Sequence, residues 1–141
     1  MKVLLVEDDP LSRHLLQQML KNLGYEVTAC EDGKAAWEAF TSQEFHLVVS
    51  DWLMPNLDGL ELCKKIRTSD KSYYSYFILQ TSCAEKESLV SAISSGVDDY
   101  LLKPYDVVKL QTKLQIAQRF FEIEAQTEVS SKVLEAIKNL L

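Results

Sequence analysis

Lys2-Val3-Leu4-Leu5-Val6-Glu7-Asp8-Asp9-Pro10-Leu11 is the stretch that decides the fold. Val3 to Val6 is a continuous apolar run with a β-branched valine at each end, the pattern of a strand buried on both faces, and it stops at three carboxylates. Asp9-Pro10 then supplies a helix N-cap followed by proline at the first helical position. Beyond it Leu11, Leu15, Leu16, Met19, Leu20 and Leu23 recur at helical spacing until Gly24 ends the helix. A doubly buried strand that passes at once into an amphipathic helix is the repeating unit of a parallel sheet covered by helices.

Working outward, the same unit recurs. Tyr25 to Cys30 is strand-like, Asp32-Gly33 turns the chain, and Ala35, Ala36, Ala39 and Phe40 mark one face of a second helix. Phe45 to Ser50 contains the third unit's strand, and Asp58 is placed to cap a helix carrying Leu60, Leu62, Cys63 and Ile66. Tyr76 to Gln80 reads as a fourth strand, followed by a helix with Leu89, Val90 and Ile93 that Gly96 closes. Tyr100 to Leu102 is a short fifth strand, and Asp106 caps a last helix bearing Val107, Leu110, Leu114 and Ala117. Strict βα alternation with right-handed crossovers gives an α/β, doubly wound sheet with helices on both faces.

Composition narrows the setting. The 141 residues suit one domain with a real core, and 47% hydrophobic with 26% charged residues is the balance of a folded globular protein. A net charge of −6 opposes attraction to nucleic acid or to an anionic membrane, so neither is expected as a partner. Cys30, Cys63 and Cys83 are odd in number and widely spaced, which suggests reduced, mostly buried thiols. Acidic residues interrupt the first apolar run too early for a signal peptide, and no run is long enough to span a membrane, which leads to a cytoplasmic expectation.

In an open parallel sheet the ligand site lies outside the carboxyl ends of the strands. There the sequence places Glu7-Asp8 after the first strand, Asp51 after the third, Thr81-Ser82 after the fourth and Lys103-Pro104 after the fifth. Crowded carboxylates repel one another unless a cation neutralises them, and an all-oxygen set suits hard Mg2+, which takes one or two carboxylates and leaves another free to react. A carboxylate is a competent nucleophile toward phosphorus, and the reaction chiefly needs alignment and neutralisation of charge. Lys103 offers the positive charge and Thr81 a hydroxyl for a phosphoryl oxygen. Any one of these residues alone is more often a cap or a turn. Four strand ends carrying the required types together are not so easily dismissed.

The motifs Val6-Glu7-Asp8-Asp9, Asp51-Trp52-Leu53-Met54-Pro55-Asn56-Leu57-Asp58-Gly59, Thr81-Ser82 and Asp98-Asp99-Tyr100-Leu101-Leu102-Lys103-Pro104 resemble, in order and spacing, the receiver domain of two-component response regulators across Lys2 to Ala117. The resemblance implies five parallel strands in the flavodoxin-like order 2-1-3-4-5. It implies Asp51 as phosphoacceptor and Glu7, Asp8, Asp51 and the Leu53 backbone carbonyl as the Mg2+ site, with Mn2+ an acceptable substitute. Thr81 and Lys103 would contact the phosphoryl group, Lys103-Pro104 would be cis, and Tyr100 would be the switch aromatic. Leu53 and Cys83 stand at the positions that tune phosphoryl lifetime in such domains, and neither offers a group to orient water, so slow loss of the phosphoryl group is expected.

The implied donor is a sensor histidine kinase or a histidine phosphotransfer protein, and the implied role is a signalling switch rather than an enzyme. A relay or sink with no output of its own is the rival reading. A haloacid-dehalogenase-type phosphatase is less suited, because its motif wants an acid two residues after the nucleophile, where Leu53 stands. Residues 1–119 are expected to form the receiver and 120–141 a helical extension, acting as a dimerisation segment or as a linker to an output domain. Leu110, Leu114, Ala117 and Phe121 have the alternating spacing of a short coiled-coil seam, interrupted by Glu124 and Glu128, and self-association through this helix is the expectation.

Overall fold

The computed structural model describes residues 1–82 and 86–140. Five strands, β1 (Lys2–Val6), β2 (Glu26–Cys30), β3 (Leu47–Asp51), β4 (Tyr76–Thr81) and β5 (Asp99–Leu102), alternate with helices α1 (Pro10–Asn22), α2 (Gly33–Ser42), α3 (Gly59–Arg67), α4 (Lys86–Ser94) and α5 (Val107–Leu140). All neighbours pair in parallel, in the order β2-β1-β3-β4-β5. The chain leaves β1 toward β2 on one side and later returns to β3 on the other, which opens a crevice at the carboxyl ends of β1 and β3.

Val3 to Val6 are fully buried, as the apolar run requires, and successive residues alternate between two cores. Leu4 and Val6 pack with Phe40, Leu62 and Ile66 beneath α2 and α3, while Val3 and Leu5 pack with Leu16, Leu20, Leu110 and Leu114 beneath α1 and α5. Local chemistry sets most of the boundaries. Asp9 caps α1 by accepting from Ser12 N, and Asp58 caps α3 in a reciprocal box with Glu61. Gly24 and Gly96 hold φ of 95° and 96°, the left-handed backbone that stops α1 and α4 and that glycine adopts without strain. Leu11 and Leu15 do not join the core: they are exposed, because the arc of α1 that meets the sheet is centred on Leu16 and Leu20.

The last helix corrects one expectation. Leu110, Leu114 and Ala117 are fully buried against their own sheet, so the seam read from their spacing is a core-facing stripe and is closed to a partner. Phe120 and Phe121 extend that stripe onto an aromatic group with Tyr74, Tyr76 and His46, at ring separations of 5.3, 5.5 and 5.9 Å for Phe120–Tyr74, Phe120–Tyr76 and Phe121–His46. From Glu122 onward every described residue is exposed. At about 100° per residue, the exposed apolar residues Ile116, Ile123, Val133, Ile137 and Leu140 lie on the opposite side of the helix from the buried stripe. α5 therefore carries two apolar faces, one used within the domain and one facing outward.

Candidate functional site

The strand ends converge as the topology demands. Glu7, Asp8, Asp51, Thr81, Ser82 and Lys103 line one cleft of about 400 Å³, with Trp52 and Leu53 also contributing to its wall. Glu7 and Asp51 are buried, at 1% and 5% exposure, whereas Asp8 is open to solvent. One carboxylate oxygen from each of these three lies within 4.8 Å of the others, so among the described residues they form a ready set of hard oxygen donors.

Lys103 sits at the centre of the charge. Its Nζ lies 2.6 Å from Asp51 Oδ1 and 3.1 Å from Glu7 Oε1. Burial works against its ammonium, yet the hydrogen bonds and charges of Asp51 and Glu7 hold its pKa above the ordinary value. For Asp51, burial followed by the hydrogen bond to Glu7 pushes the pKa up to about 8, with Lys103 only partly opposing. Burial also penalises the Glu7 anion, but hydrogen bonds with Asp51 and Lys103 bring its pKa below the usual carboxylate value. Crowding and burial thus favour retention of a proton between the two carboxylates, with the rise falling on Asp51 and the drop on Glu7.

The surrounding backbone fixes this geometry. Arg13 donates from Nη1 to the Glu7 carbonyl at 2.9 Å, tying α1 to the loop that carries the acids. Gly59 N donates to Trp52 O at 2.7 Å, and a Cβ on Gly59 would meet Asp51 O at 2.2 Å, so only glycine lets α3 start this close to the end of β3. Lys103 N donates to Thr81 O at 2.8 Å, and the Lys103–Pro104 bond is cis.

Placement of the remaining candidates differs. Thr81 is buried at the end of β4 and Leu53 is exposed at 80%. Tyr100 lies outside the cleft, half-buried on β5, with Lys113 Nζ 5.4 Å from its ring centre. Cys83 lies outside the described residues; Cys30 and Cys63 are buried and free. Three residues that carry the site's support had not been singled out. Arg13 had no distinguishing sequence signal. Gln80 did: it is a polar residue inside an otherwise apolar strand, directly before Thr81. Tyr105 directly follows Lys103-Pro104, and its hydroxyl donates to Gln80 Oε1.

The chain belongs to the response regulator receiver domain family, whose model matches residues 3–115. It is 37% identical over 121 residues to response regulator RppA of Synechocystis, covering 84% of this chain and 51% of RppA, so it spans about half the length of that relative. It is 33% identical over 118 residues to chemotaxis protein CheY1 of Helicobacter pylori, covering 82% of this chain and 95% of that one. Among solved structures, the receiver domain of a Pseudomonas aeruginosa sensor histidine kinase matches with a TM-score of 0.74 and 32% identity. That match covers 84% of this chain and 94% of the other, whose structure has a magnesium ion coordinated in the active-site cleft. No described helix is long and apolar enough to cross a membrane.

Proposed function

We propose that this chain is a phosphoacceptor switch in which Asp51 takes a phosphoryl group from the phosphohistidine of a sensor kinase or a phosphotransfer protein. The observation that carries the reading is the Lys103 ammonium set between Asp51 and Glu7 in a cleft with three convergent carboxylates. An Asp51 carboxylate oxygen attacks phosphorus, the phosphorus–nitrogen bond breaks, and the imidazole leaves, yielding aspartyl phosphate. Lys103 neutralises charge gathering on the phosphoryl oxygens, and the Thr81 hydroxyl, buried at the same strand end, donates to one of them.

The donor set fits Mg2+, which Glu7, Asp8, Asp51 and the Leu53 carbonyl would hold; Mn2+, also a hard cation, would serve in its place. Bound there, the cation supplies the charge that lets Asp51 ionise at neutral pH and that offsets phosphoryl charge. With Thr81 and Lys103 drawn to the new phosphoryl group, the surface of α4, β5 and α5, including Tyr100, changes its presentation to a partner. Exposed Leu15 on α1, in a groove it shares with Met19, Lys103 and Pro104, gives an incoming donor an apolar landing beside the cleft.

A second copy is the occupant we assign to the outward face of α5. Ile116, Ile123, Ser130 and Ile137 alternate with Arg119, Gln126, Val133 and Leu140 at three and four spacing. Isoleucine in the first set, with valine and leucine at the end of the second, suits a parallel two-stranded pairing. Labelled phosphoryl transfer tests the main reading: the label should be removed by hydroxylamine, as an acyl phosphate requires, and should be absent from Asp51→Asn. A label stable to hydroxylamine would contradict it.

A further inference from the structure

Gln80 is 1% exposed, and parallel pairing sets it directly beside Asp51 on β3 and Leu101 on β5. Paired residues of neighbouring strands point to the same face, so the amide shares Asp51's side of the sheet, two residues beyond the buried Ile78. Its Oε1 accepts from the Tyr105 hydroxyl, while its Nε2 is buried and, among the described residues, makes no hydrogen bond. Such an arrangement is poor for stability: a buried amide with unmet donors costs more than an apolar residue of the same shape. A leucine or methionine would suit this position between Ile78, Leu101 and the α1 and α5 core better, which suggests that function retains the polar group.

Its connections indicate the function. Lys103 lies between two ties to β4, its own N–H to the Thr81 carbonyl and, two residues on, the Tyr105 hydroxyl to Gln80. Lys103's side chain is one third exposed and long, so the turn that carries it sets, together with the contacts to Asp51 and Glu7, where its ammonium stands. We propose that Gln80 is a positioning residue for Lys103: acting through Tyr105, it clamps the Lys103-Pro104-Tyr105 turn to β4 and so holds the ammonium against Asp51 for phosphoryl transfer. The proposal rests on the phosphoacceptor reading above and adds to it a pair that acts behind Lys103, of which Gln80 also lines the cleft.

The test uses the full chain with Gln80→Met, Tyr105→Phe and the double variant, treated with saturating acyl phosphate and Mg2+. Intact mass gives the maximal rate of phosphate addition, Trp52 fluorescence the Mg2+ affinity, and a thermal scan the stability. Each single variant should lose about tenfold in maximal rate, since small misplacements of a charge-stabilising group are costly. The double variant should be no slower than the slower single one. Mg2+ affinity should stay within about twofold of wild type, because the carboxylates are untouched, and the double variant, in which neither polar partner is left alone, should melt no lower than wild type. The double variant replaces both polar partners by apolar groups and keeps the test sound if Tyr105→Phe folds poorly. A wild-type rate in Gln80→Met, losses that add in the double variant, or a rate loss matched by lost Mg2+ affinity would each overturn the proposal. Wild-type protein that takes no phosphate at all would overturn the phosphoacceptor reading itself, and the proposal with it.

Discussion

Replacing Asp51 by asparagine should stabilise the metal-free protein, and the size of the gain follows from the site. The Asp51 side chain is 7% exposed and its pKa stands at about 8 against an ordinary 3.8. Between those values the folded state keeps a proton that the unfolded chain releases, so stability falls as pH rises from about 4 and levels off above about 8. Four pKa units at about 1.4 kcal/mol each set a ceiling on the order of 5 kcal/mol at high pH. Much of this is offset, because Asp51 also favours the Lys103 ammonium 2.6 Å away, and the variant lacks the negative charge that does so. A net gain of about 1–3 kcal/mol remains, and for a chain of this length that raises Tm by roughly 3–12 °C. Thermal scans of wild type and Asp51→Asn in chelator, from pH 5 to pH 9, would show a difference that grows with pH. Added Mg2+ should shrink it by stabilising wild type. An Asp51→Asn protein that melts at or below wild type at pH 8, or a gap that narrows as pH rises, would refute the reasoning.

Because Asp51 holds a proton near neutrality, Mg2+ affinity should rise with pH, by up to about tenfold per unit below pH 8, and then level off; titration calorimetry in buffers of different ionisation enthalpy should detect a released proton. With Leu53 exposed at the cleft and no polar group on it to orient water, the phosphoryl group should persist for minutes or longer in purified protein, and a lifetime of seconds would contradict this. Ile123→Glu combined with Ile137→Glu should convert a dimer into a monomer by light scattering without lowering the melting temperature of the receiver body, since both residues are exposed on α5; a wild-type monomer would remove the dimer reading.

The parts of the fold that were legible in the sequence are those set by local chemistry or by burial on both sides. Asp9-Pro10, Asp58, Gly24 and Gly96 mark helix ends through groups within a few residues, and Val3 to Val6 needs no partner to look like a central strand. The convergence of the cleft's side chains was readable because each closes or directly follows a strand, and strand ends are where a parallel sheet gathers its polar groups. Contacts between distant segments were not readable. The spacing of Leu110, Leu114 and Ala117 fits a partner helix as well as it fits the sheet that in fact buries them, and periodicity alone does not separate the two. Nothing in the sequence around Gly59 shows that a Cβ there would meet the Asp51 carbonyl oxygen at 2.2 Å, a contact that only the folded α3 and β3 create. Gln80 and Tyr105 are 25 residues apart, and only the folded sheet shows that one hydroxyl joins them.

The central claim is that Asp51 is the phosphoacceptor, and intact-mass measurement after treatment with a small acyl phosphate and Mg2+ tests it most directly. The account predicts the mass increase of one phosphoryl group on wild type, its absence without a divalent cation, and its absence from Asp51→Asn. An adduct on both proteins, or on neither, would contradict it.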